Sequence, residues 1–282
     1  MGVQIGRHGI WARSALLSEG VAQRVEDLGF GTLWVGGSPS GDLAAVEAML
    51  DATSRITVAT SVVNMWTTPA AQVAASYLRI AERHPDRLLL GVGVGHREAT
   101  AEYRSPYETI VAYLDRLDEA GVPVRGRLLA ALGPKVVALA GRRSAGPLPY
   151  LTTPQHTARA RALVGDGPLV VPEQKVVLTE ALGLDSDAAH SLARAAVSRP
   201  YLQLSNYRRS LAALGFTEDE LDTPADRLID ALAPQGTASR VADALDAHLA
   251  AGANHVAAQV VAPDAAGFDA SLVALSAALG LR

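Results

Sequence analysis

The stretch Arg87–His96, RLLLGVGVGH, decides the fold, because it combines a buried strand with a regular series of glycines. Apolar side chains occupy positions 88, 90, 92 and 94, whereas glycine occupies positions 91, 93 and 95. Strand side chains alternate between two faces, so one face carries no side chains here. Glycine inside a strand often marks the close approach of a ligand or of another backbone. The pattern predicts a ligand at this strand end; the alternative is a tight core that needs glycine for packing.

Strand and helix signals alternate along the whole chain of 282 residues. The predicted strands cover residues 3–10, 32–35, 56–64, 87–96, 128–132, 148–152, 169–178 and 255–261. Eight strand–helix units predict a parallel sheet closed into an α/β (β/α)8 TIM barrel, a single domain over residues 1–282. Two doubly wound domains are the rival, but no linker lies near the middle. The widest spacing follows the seventh strand and predicts a helical insertion or lid over residues 179–236.

Composition excludes several classes of function. The chain has no cysteine, which excludes disulfides, thiolate metal sites and a cysteine nucleophile, and which fits a cytoplasmic protein. A net charge of −4 without a basic cluster argues against nucleic acid as the partner. No apolar run reaches the roughly 20 residues of a membrane span, and the first residues lack the pattern of a signal peptide. We therefore expect a small-molecule substrate, with no nucleic acid and no membrane.

The C-terminal ends of barrel strands form the active site in this fold. The predicted ends carry mainly small, aromatic and amide side chains: His8, Trp11, Ser38, Ser61, Val62, Val63, Asn64, Trp66, Gly95, His96, Gly133, Pro134, Lys135 and Glu173. Such a set suits a large planar ligand better than hydrolysis by paired carboxylates. The seven histidines are scattered without metal-ligand spacing, so we expect no metal site.

Two of these strand ends leave their interpretation open. Gly133-Pro134-Lys135 begins a predicted helix, where backbone N–H groups and the lysine could hold an anion. The alternative is an ordinary turn with a surface lysine. Glu173 and Lys175 could form a structural pair inside the barrel mouth, and the sequence does not decide whether they do.

Several segments together resemble the luciferase-like monooxygenase superfamily, in its deazaflavin-dependent branch. They are TSVVN (60–64), the helix 69–84, RLLLGVGVGH (87–96), ALGPKVVALAGRRSAG (131–146), PYLTTPQHTARAR (149–161), VVPEQKVVL (170–178) and AGANHVAAQVV (251–261). Each motif is loose, but their order along the chain is fairly specific. The resemblance covers nearly the whole chain and implies an oxidoreductase that uses coenzyme F420 for hydride transfer, usually as a homodimer.

The resemblance also implies roles for particular residues. A non-prolyl cis peptide is expected at Ser61–Val62, against the deazaflavin ring, with Val63 and Asn64 beside it. Gly93, Gly95 and His96 are expected to contact the ring. Gly133, Pro134 and Lys135 are expected near the ribityl phosphate. The substrate pocket is expected to include Trp11, Ser38, Trp66 and Glu173.

The chain departs from the sugar-phosphate dehydrogenases of this superfamily, which carry an Asp-His pair after strand two and a Glu after strand four. Gly37-Ser38 and His96 stand there instead. We therefore expect reduced deazaflavin to give hydride to an activated C=C, C=N or C=O group. His96 or His8 would donate the proton, and His96 faces the site only if the chain turns at Gly95. The alternatives are an FMN-dependent monooxygenase and a barrel that binds a ligand without catalysis.

Overall fold

The computed structural model describes residues 3–95 and 105–281. Its strands are β1 (His8–Arg13), β2 (Thr32–Gly36), β3 (Thr57–Ser61), β4 (Val63–Asn64), β5 (Leu88–Gly93), β6 (Arg127–Ala130), β7 (Pro147–Leu148), β8 (Glu173–Leu178), β9 (Gln235–Gly236) and β10 (Val256–Val260). Its helices are α1 (Glu19–Asp27), α2 (Ala44–Asp51), α3 (Ala70–Arg83), α4 (Pro106–Glu119), α5 (Pro134–Arg143), α6 (Pro154–Val164), α7 (Thr179–Leu182), α8 (Ser186–Ser198), α9 (Ser205–Ala213), α10 (Glu218–Asp222), α11 (Asp226–Leu232), α12 (Ala238–Ala250) and α13 (Ala265–Ala278).

The strands form a parallel barrel, which confirms the predicted fold. Their order in the sheet is β7-β6-β5-β3-β2-β1-β10-β8-β9, and β4 pairs with β5. Backbone hydrogen bonds join the segment around β7 to the residues that lead into β8. The Leu169 and Val171 N–H groups donate to the Ala145 and Pro147 carbonyls at 2.7 and 3.1 Å, and Glu173 donates to Pro149 at 2.9 Å. Eight strands therefore close the ring, while β4 and β9 are short additions to it.

Alternation along the strands separates two apolar layers, as the glycine strand predicts. Leu88, Leu90 and Val92 pack in the outer layer between the strands and the helices. Leu89 points the other way, into a core inside the barrel that also holds Trp34. Gly91 and Gly93 share the face of Leu89, so the glycine face of β5 is the inner one. A third apolar cluster lies among helices α8–α11, between β8 and β9.

The first strand differs from its prediction. Residues 3–10 are predicted as strand, but β1 runs from His8 to Arg13, so His8 begins the strand instead of ending it. The register aligns His8 with Val256, the first residue of β10. His8 therefore lies at the N-terminal end of the barrel, opposite the end where barrel enzymes place their sites.

Two buried histidines, one inside the barrel and one between the strands and the helices, hold the fold together in their neutral form. His255 accepts a hydrogen bond from Trp34 Nε1 at its Nε2 (2.9 Å), and its Nδ1 donates to the Gly6 carbonyl. His248 donates from Nε2 to Gln174 Oε1, and its Nδ1 accepts from the Thr157 hydroxyl, both at 2.8 Å. Each ring uses one nitrogen as an acceptor, which protonation would remove. Burial lowers the pKa of each histidine to about 4.

These histidines predict a loss of stability in mild acid. In the unfolded chain these histidines bind protons below their ordinary pKa of 6.5, whereas in the folded chain they do so only near pH 4. The folded state therefore loses stability as the pH falls from 6.5 towards 4. We expect the free energy of unfolding to decrease by about 3 kcal/mol between pH 7 and pH 5. Urea unfolding at a series of pH values measures this. The variant His248→Asn is expected to show about half the pH dependence, and an equally steep profile would contradict the assignment.

Candidate functional site

One wall of the barrel mouth is built where β3 ends beside β5. The Ser61–Val62 peptide is cis, at the position that the resemblance implies. A Cβ on Gly93 would lie 2.9 Å from Val62 Cγ2 and 2.8 Å from Ala130 Cβ. A Cβ on Gly91 would meet the Thr60 carbonyl oxygen. Gly91 and Gly93 are therefore needed for close packing, which is one of the two interpretations that the sequence left open. A planar ring at this wall would meet the Val62 side chain instead of bare glycine backbone.

The remaining predicted residues of this wall lie next to it. Val63 and Asn64 form β4 and pair with Val92 and Gly93. Asn64 Oδ1 accepts from the Trp66 N–H at 2.9 Å. Gly95 has a φ of +64°, and a Cβ there would lie 3.2 Å from Asn64 Nδ2. The chain does leave extended geometry at Gly95, but His96 lies outside the described residues.

The turn between β6 and α5 is open. Gly133 is the N-cap of α5 and makes no side-chain capping bond, Pro134 is the first helical residue, and a Cβ on Gly133 would meet nothing within 4 Å. Pro134 has no N–H and the Val136 and Val137 N–H groups donate to the Gly133 carbonyl, so Lys135 supplies the backbone N–H that a phosphate would meet at this helix start. Lys135 is exposed, and its Nζ lies 3.9 Å from the centre of the Tyr107 ring. This turn therefore has room for an anionic group.

A buried histidine borders the same turn. His156 lies in the first turn of α6, and its Nε2 donates to the Leu132 carbonyl at 2.8 Å. Its Nδ1 and the nearby Thr152 Oγ1 are buried without a hydrogen-bond partner. Burial lowers the pKa of His156, so the ring is neutral at pH 7. Because Nε2 donates to Leu132, Nδ1 of the neutral ring is an acceptor and would not face an anion, so of these two atoms only the Thr152 hydroxyl can donate to a phosphate.

A buried lysine organises the opposite side of the barrel. Lys175 and Glu173 are each 1% exposed, and Lys175 Nζ lies 3.2 Å from Glu173 Oε1. The ammonium also donates to Tyr150 Oη at 2.7 Å and to Gln259 Oε1 at 2.8 Å. Burial lowers the pKa of Lys175 and raises the pKa of Glu173, and their mutual attraction opposes both effects. Glu173 and Lys175 are therefore a buried ion pair inside the barrel, which answers the question that the sequence left open.

Aromatic hydroxyls extend this cluster toward the insertion. Tyr150 Oη lies 2.9 Å from Tyr201 Oη and 2.9 Å from Gln259 Oε1. Tyr201 is also hydrogen-bonded to the Arg13 side chain. One direction of donation satisfies all of these hydrogen bonds: Arg13 donates to Tyr201, Tyr201 donates to Tyr150, and Tyr150 donates to the amide oxygen of Gln259. Burial raises the pKa of both tyrosines, so both hydroxyls carry their protons at pH 7.

The residues predicted for the substrate pocket do not form one group. Trp11 lies inside the barrel, 5.6 Å from the Tyr150 ring, and Glu173 lies below it in the lysine cluster. Ser38 is exposed, with a φ of 56°, and Trp66 is half-buried next to Asn64. Sequence reasoning missed Arg13, Tyr150, Tyr201 and Gln259. The sequence feature that could have indicated this cluster is Lys175, one of two lysines in the chain and the one that lies within a predicted strand.

The structure places His8 away from the strand end at which it is predicted to donate a proton. His8 is buried at the start of β1, where its Nε2 lies 3.1 Å from Asp246 Oδ1 of α12. Burial lowers the pKa of this histidine, and Asp246 partly opposes that effect. The predicted first strand begins five residues and ends three residues too early, which places His8 at the wrong end of the barrel.

Two further features concern metals and membranes. Within residues 3–95 and 105–281, no group of three or more His, Cys, Asp or Glu side chains is placed to hold a metal ion. Among the helices in the described part of the chain, none is long and apolar enough to cross a membrane.

The fold is shared with solved flavin- and deazaflavin-dependent enzymes. An F420-dependent secondary alcohol dehydrogenase, solved with an F420-acetone adduct, aligns over 100% of this chain and 99% of its own, with a TM-score of 0.73 and 17% identity. The F420-dependent tetrahydromethanopterin reductase from Methanopyrus kandleri aligns over 98% of both chains, with a TM-score of 0.63 and 15% identity. The oxygenating constituent of 3,6-diketocamphane monooxygenase from Pseudomonas putida, solved with FMN, covers 97% of this chain and 98% of its own, with a TM-score of 0.67 and 12% identity.

Sequence comparison points to the same group. No curated protein matches the chain. The model of the luciferase-like monooxygenase family matches residues 19–120, the part that runs from α1 through the cis peptide and the glycine strand to the end of α4. The family match covers residues 19–120 of the 282, and the solved structures show a shared barrel fold over the full length of the chain.

Proposed function

We propose that the protein is an F420-dependent oxidoreductase that transfers hydride from the reduced deazaflavin to an activated C=C, C=N or C=O group of a small metabolite. The observation that carries this proposal is the open start of α5 at Gly133, bordered by the buried Thr152 hydroxyl, which has no hydrogen-bond partner among the described residues. It faces the same barrel end as the wall formed by Val62 and Gly93. Two structural neighbours on this barrel are F420-dependent enzymes.

In this proposal Gly133, Pro134 and Lys135 hold the phosphate end of the cofactor, and Val62, Asn64 and Gly95 line its ring. When bound, F420 supplies two-electron hydride chemistry. The protein contributes a dry lumen behind the ring, because Trp34, Leu89 and Leu128 fill the barrel below it. His96 remains the proposed proton donor.

A fluorescence titration of the purified protein with F420 and, separately, with FMN tests the cofactor. We expect saturable F420 binding and weaker FMN binding. Preference for FMN would favour the second candidate, a luciferase-like monooxygenase, which the FMN-containing structural neighbour supports. Binding of neither cofactor by the folded protein would favour a barrel that has lost catalysis. A homodimer and a cytoplasmic location are further parts of the proposal.

The variant Gly133→Leu tests the phosphate end of the site. A Cβ at this position meets nothing within 4 Å, so the larger side chain fits without destabilising the fold but fills the space above the start of α5. We expect F420 affinity to fall at least tenfold, or about 1.4 kcal/mol. The matched variant Gly167→Leu places the same side chain at another open glycine and is expected to bind F420 like the wild type. Equal affinity in both variants would remove Gly133 from the site.

A further inference from the structure

A second feature of the barrel mouth lies across the ring from the wall of β3, β5 and β6. A cavity of about 300 Å³ opens between the ends of β1 and β10, the side of β8 and helix α8. Its floor is made by Trp11, Gln259 and Tyr201, while Arg13 and Arg199 stand at its exposed rim. This volume suits a small organic molecule and is too small for a whole nucleotide-sized cofactor.

The charged side chains of this cavity are hydrogen-bond donors. Arg13 and Arg199 carry guanidinium groups, which only donate hydrogen bonds. Neither aspartate nor glutamate lines the cavity within the described residues. The chain as a whole has a net charge of −4, so two arginines without an acidic neighbour in the lining form a local positive site on an acidic protein. A ligand with an anionic acceptor group matches this lining.

The orientation of Gln259 strengthens this conclusion. Its Oε1 accepts from the Lys175 ammonium at 2.8 Å and from the Tyr150 hydroxyl at 2.9 Å. An ammonium cannot accept a hydrogen bond, so the amide oxygen must face Lys175 and the NH2 group must point away from it. Gln259 is half-buried and lines the cavity, and its Nε2 has no hydrogen-bond partner in the described part of the chain. The amide therefore presents a third donor.

Lys175 itself is not the ligand-binding group. Its three N–H bonds are committed to Glu173, Tyr150 and Gln259. Its role is to fix Gln259 and Tyr150 in place. Tyr150 in turn contacts Tyr201, which is hydrogen-bonded to Arg13, so the same buried cluster also positions the arginine at the rim.

We propose that this cavity binds the carboxylate of a small monocarboxylate whose remaining part is apolar. The proposal rests on the proposed function, for which it names the substrate class. Arg13, Arg199 and Gln259 hold the carboxylate, since a guanidinium matches its planar oxygens. Trp11, Val261 and Phe268 supply apolar walls for the rest of the molecule. Inorganic phosphate would leave oxygens facing those walls without partners, which is costly.

Isothermal titration of the cofactor-free protein with benzoate and hexanoate tests the inference, with benzamide and hexanamide as neutral partners of the same shape. We expect saturable binding of at least one acid and at least tenfold weaker binding of its amide. Arg13→Gln and Arg199→Gln are each expected to weaken acid binding at least tenfold. The control Arg55→Gln removes the same charge from an exposed residue outside the cavity and is expected to bind like the wild type.

The inference is overturned if neither acid binds, if an amide binds as tightly as its acid, if inorganic phosphate binds more tightly than both acids, or if the Arg13 and Arg199 variants keep full affinity. Separate F420 titrations distinguish this failure from failure of the proposed function. F420 binding without acid binding removes the cavity assignment alone. Acid binding without F420 or FMN binding leaves the carboxylate site intact and overturns the oxidoreductase assignment.

Discussion

Gly91→Ala is expected to destabilise the protein by about 3 kcal/mol or more, measured by urea unfolding. The added methyl group would lie on the Thr60 carbonyl oxygen, far inside van der Waals contact, and 3.3 Å from Leu148 Cδ2. The obstructing atom is backbone of the neighbouring strand, so relief requires β3 and β5 to separate. That separation would also break the hydrogen bond of 2.8 Å from the Thr60 hydroxyl to the Gly91 carbonyl.

Gly167→Ala is the matched control for this substitution. Gly167 is exposed, its φ lies outside the left-handed region, and an added Cβ meets nothing within 4 Å. We expect its free energy of unfolding to stay within about 0.5 kcal/mol of the wild type. Similar stability of the two variants would show that the space at Gly91 is available, and that the glycine strand serves a bound ligand more than packing.

Lys175→Met is expected to destabilise the protein by about 3–5 kcal/mol, because it leaves the Glu173 carboxylate buried without its cation. The same change also removes the donor to Tyr150 and Gln259. Urea unfolding at pH 7 measures the loss. Lys135→Met, at the other lysine of the chain, is the control and is expected to have little effect, since Lys135 is exposed.

The double variant Glu173→Gln/Lys175→Met identifies the cause. It removes both charges, so we expect it to recover part of the stability that Lys175→Met loses. In the single variant, burial raises the pKa of Glu173 and the opposing effect of Lys175 is gone. A carboxyl group with a raised folded-state pKa stabilises the fold below its unfolded pKa and loses that contribution as the pH rises. The deficit of Lys175→Met should therefore grow from pH 5 to pH 8, and a deficit independent of pH would contradict this explanation.

The candidate site was predicted in part. The cis peptide position is implied by the family resemblance of residues 60–64, and the turn at Gly133, whose interpretation the sequence leaves open, is visible as a local segment whose residues stay adjacent in the chain. The arrangement of Arg13, Tyr150, Tyr201, Lys175 and Gln259 does not, because these residues lie on five different segments and meet only when the barrel closes. Their sequence positions carry no common spacing that could reveal the cluster.

The sequence by itself determined the barrel, because the alternation of strands and helices and the period of two along residues 87–96 require buried parallel strands with an inner and an outer face. It also determined the glycine face of β5. Only the tertiary structure decided where each strand begins, and therefore that His8 lies at the closed end and Arg13 at the mouth. Strand register is set by hydrogen bonds to neighbours distant in the chain, such as β10 for β1, and a shift of a few residues moves a side chain from one end of the barrel to the other.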